Sequence, residues 1–168
     1  MLRPLAAALC LLALPACDSG SGGAQLVFEE EALLSAISGF TRTTASGAVE
    51  SRDANDWRIG PAYIGSVSVL QLPFPNPVSA SAGTGDVSLD LNLTGGLRGP
   101  LTVSVLFDDP LRDTPRFVDL ASCASPSLCT FKLSARAIRD GGGGTGLRRI
   151  VVSDNDGIVT YGDVQVNG

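Results

Sequence analysis

Histidine is absent from all 168 residues, and that absence removes more chemistry than any other feature of the composition. His-based general acid/base catalysis, Ser-His-Asp and Cys-His nucleophile systems and the usual zinc sites all need an imidazole. Catalysis would have to run on carboxylates, hydroxyls, tyrosine or the single lysine, Lys132. Positive charge is also short: 12 Lys and Arg face 17 Asp and Glu, for a net charge of −5. An acidic chain is poorly suited to nucleic acid or to anionic lipid surfaces.

A long hydrophobic run is missing too. The most apolar stretch, residues 5–14, falls short of the about 20 residues that span a bilayer. It follows one early cation, Arg3, has no polar position at helical spacing, and ends in small residues instead of a basic flank. This pattern reads as a secretory signal with cleavage before Cys17. Leu14, Pro15, Ala16 and Cys17 resemble the lipobox of bacterial lipoproteins: Leu, a tolerant position, Ala or Gly, then Cys. Pro15 at the tolerant position is a departure from the usual pattern. The resemblance implies that residues 1–16 are removed and that Cys17 is diacylated on sulfur. The chain would then be lipid-anchored to a bacterial membrane, facing the periplasm or the cell surface. By resemblance to enteric lipoproteins, Asp18 beside the cysteine implies inner-membrane retention. Residues 17–24 read as a flexible Gly/Ser tether.

Removing the signal leaves 152 residues with a net charge of −6, since one cation and no acid is lost. That length suits one domain, residues 25–168, with a proper core. Twenty Gly and ten Pro punctuate short β-branched runs, an all-β signature. The expected fold is an antiparallel β-sandwich, Ig-like, of about seven strands with room for one short N-terminal helix. Of four cysteines, Cys10 leaves with the signal and Cys17 carries lipid. Cys123 and Cys129, around a Ser/Pro loop in an exported protein, are expected to form a disulfide. Two thiolates with no histidine or second cysteine pair do not complete a zinc site.

Along the chain, three glutamates and the Leu33/Ile37 pair suggest a helix over residues 29–38 ended by Gly39, with a strand over 25–28 as the alternative. Residues 41–61 read as a polar loop with a short strand near Ala48 and Val49, anchored by Trp57. Asp53, Asn55 and Asp56 look like a calcium loop in composition but lack the EF-hand pattern, so a surface Asx-turn is expected. A strand over 64–72 should stop at the prolines that follow. Pro75, Asn76 and Pro77, followed by a β module, resemble the start of the Ig-like C-terminal sorting domains of type IX secretion. That resemblance covers residues 75–168 and implies architecture alone.

Residues 86–93 alternate Val87, Leu89, Leu91 and Leu93 with polar neighbours, and 101–107 repeat the pattern, so the two are expected to pair as a hairpin. Residues 130–138 read as a further half-buried strand. Arg136, Arg139, Arg148 and Arg149 are read as a solvated strand face in preference to a basic patch. The GGGGTG run at 141–146 lacks the Lys-Ser/Thr that opens a P-loop helix, so it reads as a plain loop. Residues 147–153 and 158–166 form the last expected hairpin, with its turn at 155–157. The apolar positions change parity at Gly162, which suggests a β-bulge at Gly162 or Asp163. Asp154, Asp156 and Asp163 are weighed as calcium ligands, but the spacing favours a plain turn.

Asp108, Asp109, Asp113 and Asp119 lie around Pro110 and Pro115 and invite a paired-carboxylate hydrolase of the glycosidase kind. No aromatic platform accompanies them, and aspartates beside prolines are ordinary turn chemistry. The expected role is therefore non-enzymatic and needs no cofactor: a lipid-anchored envelope protein whose sandwich binds or positions an envelope protein or glycan through loops or an edge strand. A carboxylate-based hydrolase and a calcium-stabilised adhesion or carbohydrate-binding module are the competing readings.

Overall fold

A computed structural model describes residues 21–80, 85–106, 116–121, 123, 127–139 and 145–168. Cys17, Asp108, Asp109, Asp113 and residues 141–144 lie outside the described residues. In chain order the elements are α1 (Ser21–Leu34), β1 (Arg42–Thr43), β2 (Val49–Ser51), β3 (Arg58–Ile59), a 3-10 turn (Pro61–Tyr63), β4 (Val67–Phe74), β5 (Val78–Ser79), β6 (Asp86–Leu93) and β7 (Leu101–Leu106). They continue with β8 (Arg116–Ala121), β9 (Ser127–Ser134), α2 (Ala135–Arg139), β10 (Gly146–Ser153) and β11 (Ile158–Asn167).

Alternation of apolar residues sets the layers. In β6, Val87, Leu89, Leu91 and Leu93 are fully buried while Ser88, Asp90 and Asn92 are half-buried, as the sequence pattern requires. Strand β9 repeats this with Cys129, Phe131 and Leu133, and the two pair antiparallel with β4 on the other side in the order β4-β6-β9. The second sheet runs β3-β11-β10-β7-β8, with β5 added parallel to β11. Leu101, Val103 and Val105 of β7, Ile150 and Val152 of β10, and Val159, Val164 and Val166 of β11 meet the first sheet in one core. The fold is an antiparallel β-sandwich, as expected. Strands β1 and β2 form a separate ribbon.

Five expectations need correction. Helix α1 begins eight residues before Glu29 and ends at Leu34, so 21–24 are helical and the expected tether shortens to 17–20. Gln25, Phe28 and Ala32 form its buried stripe, and that packing outweighs the poor propensity of Gly22 and Gly23. Strands β6 and β7 are not a hairpin: the loop between them carries the chain from one sheet to the other. Alternation fixes which face of a strand is core but not which strand lies beside it. Strand β4 runs on through Pro73 to Phe74, because Pro73 lies on the edge strand of its sheet, where a missing donor costs no ladder bond.

The strand expected over 130–138 starts at Ser127 and gives way to helix after Ser134. The Ser134 hydroxyl accepts the Ala137 N–H, and Ala135 and Ile138 are buried at helical spacing. The last hairpin forms as expected, but pairing is continuous through Gly162, opposite Ile150, and the irregularity falls between Thr160 and Ile158. The parity change belongs to that irregularity, which turns Val159 into the sandwich core with Val164 and Val166 while Ile158 and Tyr161 face α1. Strand β11 is buried on both faces, with Tyr161 under α1 and Val164 in the sandwich core, and the space above Gly162 is filled by the Trp57 ring.

Candidate functional site

Adjacent residues of a strand face opposite ways, so Arg148 and Arg149 of β10 serve different layers. Neither forms the solvated face expected of them: they are 1% and 4% exposed. Arg148 lies in the sandwich interior, where its Nη1 donates to Leu147 O. Arg149 lies between the outer face of the sheet and α1. Its Nε and Nη2 donate to the two carboxylate oxygens of Asp163 on β11 at 2.9 and 3.0 Å. Its Nη1 reaches the end of α1, at Ser35 Oγ (2.8 Å) and the carbonyls of Ser35, Ala32 and Glu31. A cation on the last carbonyls both caps a helix and complements its dipole. The guanidinium carbon also lies 5.1 Å from the Tyr161 ring centroid.

A polar cavity of about 140 Å³ opens beside this clamp, with Glu31, Ser35, Asp53, Asp56, Arg149, Tyr161 and Asp163 among its walls. Arg58 pairs with Glu31 at 2.7 Å and donates to the Tyr161 hydroxyl at 2.7 Å. The bond from Arg58 holds the Glu31 carboxyl below its ordinary value and raises Arg58. Burial pushes the Asp163 carboxyl up against the pull of Arg149. Asp56 is 6% exposed, and its two oxygens take the backbone N–H groups of Thr41 (2.6 Å) and Asp163 (2.9 Å). Burial, aided by the nearby Asp163 charge, pushes Asp56 up to about 7. Of the expected Asx cluster, Asp53 forms the turn by accepting the Asn55 N–H, whereas Asp56 is structural.

These side chains do for β11 what a neighbouring strand does elsewhere. Along its outer edge, Val159 O accepts from Gly60 and Tyr161 O from Trp57. Next in line, Asp163 N–H goes to Asp56, Asp163 O accepts from Asn76 Nδ2 (3.1 Å), and Gln165 N–H goes to Asn76 Oδ1 (2.9 Å). The ladder resumes with Val78 opposite Val166. Asn76 is fully buried, and its Nδ2 also donates to Thr41 O at 2.8 Å. The asparagine of the Pro-Asn-Pro segment thus fills the gap between β3 and β5 with an amide in place of a peptide group. No sequence signal marked Asn76, Asp56 or Arg149 for this role.

The remaining expected sites are dispersed. Cys123 and Cys129 are disulfide-bonded, with Cα atoms 5.7 Å apart, and tie the segment after β8 to β9 across the change of sheet. Asp154 forms the plain turn: its Oδ1 accepts the N–H groups of Asp156 and Gly157 and the Tyr63 hydroxyl, and its Oδ2 accepts the backbone N–H of Arg98. Burial works to raise the Asp154 carboxyl, but those four donors leave it lowered. Asp163 is committed to Arg149, away from Asp154 and Asp156. Asp119 lies on β8. Arg136 and Arg139 belong to α2 and border a second cavity, of about 250 Å³, with Asp86 and Ser134. Among the described residues no group of three or more Cys, Asp or Glu is arranged to hold a metal ion.

No family model and no curated protein match the chain. Among solved structures it is similar to a β-glucosidase from Listeria innocua in complex with glucose, at 14% identity and a TM-score of 0.41. That match covers 70% of this chain and 17% of the enzyme. It is also similar to an immunoglobulin-like protein from Pseudomonas aeruginosa, at 14% identity and a TM-score of 0.31, over 68% of this chain and all of the other.

Proposed function

We propose that the protein is a bacterial envelope lipoprotein, anchored through diacylated Cys17, whose β-sandwich binds or positions another envelope component without catalysing a reaction. The observation that carries this reading is the Leu14-Pro15-Ala16-Cys17 sequence at the end of the apolar run of residues 5–14. Support for the non-enzymatic part comes from the buried carboxylates. Asp56 and Asp163 spend their oxygens on backbone N–H groups and on Arg149, which holds elements together and leaves neither aimed at a substrate. With the outer edge of β11 filled by side chains, a partner strand would add to another edge. Strand β9 pairs on one side only among the described residues and exposes Leu128. Cys17→Ser should leave full-length precursor in the membrane fraction and abolish incorporation of labelled palmitate. Normal-sized soluble protein from that variant would refute the reading.

A further inference from the structure

Helix α1 buries one face and leaves the other without a partner among the described residues. The buried face carries Gln25, Phe28 and Ala32; the outer face carries Gly22, Gly23, Ala24, Leu26, Val27, Glu30 and Leu34. Leu26 and Val27 are 67% and 65% exposed and Leu34 49%, with Glu30 the single charge among them. A solvent-facing helix normally carries its charges outward. Here two of three glutamates, Glu29 and Glu31, turn inward to bond Gln25 and Arg58. The 3-10 turn packed against α1 leads into Ile64, the most exposed large apolar side chain among the described residues at 72%.

We infer that this outer face of α1 rests on the lipid surface that holds the acyl chains of Cys17. The inference rests on the lipidation reading above. The reason for choosing lipid over a protein partner is reach. Residues 17 to 21 span at most about 14 Å even when fully extended. That is shorter than α1 itself, about 21 Å long at 1.5 Å per residue. A helix so close to its anchor stays within reach of the headgroup layer, where exposed apolar side chains insert to a shallow depth. The chain has a net negative charge and the described residues of this face include no cation, so the surface it suits is zwitterionic, not anionic. The domain would then hold a fixed orientation, with the disulfide and α2 carried at a set angle to the membrane.

The test has two arms. First, mass spectrometry of the mature N-terminal peptide reads acylation of Cys17 directly and judges the anchor alone. Second, the mature-length chain, residues 17–168, made with Cys17→Ser and so without lipid or the apolar run of residues 5–14, is mixed with phosphatidylcholine vesicles and scored by co-sedimentation, beside a form that also carries Leu26→Ser, Val27→Ser and Leu34→Ser. Partitioning should fall at least ~10-fold in the second form, because each buried aliphatic side chain is worth up to about that factor. A fluorophore at Val27→Cys in the acylated protein should shift to the blue on vesicles. Equal partitioning of the two forms, or a label that stays in water, overturns the docking whether or not Cys17 is acylated. Concentration-dependent dimerisation without vesicles, lost in the triple variant, would also overturn it by giving the face to a second copy.

Discussion

Replacing Asn76 with alanine tests the stitched edge of β11 most severely. The side chain serves three backbone groups at once: it donates to Thr41 O and Asp163 O and accepts from Gln165 N–H, all within 3.1 Å and with Asn76 itself fully buried. Asp163 N–H and O both point away from β10, so the Asp163 carbonyl has no ladder bond to fall back on. Leaving a buried backbone group unpaired costs about 1–3 kcal/mol. Three such groups, partly relieved by water entering the space of a lost amide, amount to about 3–5 kcal/mol. That is a large share of the roughly 5–15 kcal/mol that holds a domain together. Asn76→Asp should be no better, since it keeps the acceptor for Gln165 but turns the donor into a second acceptor facing two carbonyls. Urea unfolding followed through Trp57 fluorescence should show the midpoint drop with little change in slope. Amide exchange at Gln165 should accelerate beyond the global change. A loss under ~1 kcal/mol with exchange at Gln165 unaltered would refute the claim that Asn76 stands in for a strand.

Asp56 predicts a pH dependence of opposite sign to the usual carboxylate. Its folded value of about 7 lies above its ordinary 3.8, so the folded state holds the proton more tightly; the stabilisation is complete below pH 4 and is lost as pH rises towards 7, by up to ~4 kcal/mol. Urea midpoints at pH 4.5 and 7.5 should differ less in Asp56→Asn than in the parent; an identical difference would sink the assignment. Removing the Cys123–Cys129 disulfide by double serine replacement should cost about 2 kcal/mol from the short loop it closes, read as a lower melting temperature; an unchanged one would count against the bond. Gly162→Ala would drive a Cβ into the Trp57 ring and should destabilise by about 1–3 kcal/mol with a shift in Trp emission; a neutral outcome would mean that Trp57 does not cover this position.

Legibility in the sequence followed burial on one face. Strand β6 was readable residue by residue because its outer positions are polar, and the last hairpin was readable because Asp154 to Gly157 carry their own turn chemistry. Strand β11 was misread at Gly162 because a strand covered on both sides has no polar face to mark register; its gap is filled by a tryptophan from over a hundred residues away. The polar clamp was opaque for a related reason. Arg149 read as part of a solvated strand face and Asp163 as a bulge or turn residue, and their pairing depends on α1 covering them. Asn76 stood in a segment noticed for its prolines, yet the asparagine does the bonding.

Strand β11 is made last among the elements described, and its contacts give it a role in timing. Helix α1, Trp57, Asp56 and Asn76, all from the first half of the chain, find their partners on residues 158–165. Until that stretch emerges, the early segments carry buried-type polar groups with nothing to bond, and α1 has no surface for Phe28 to pack on. Those early segments and β11 can therefore lock only together, after residues 158–165 have been made.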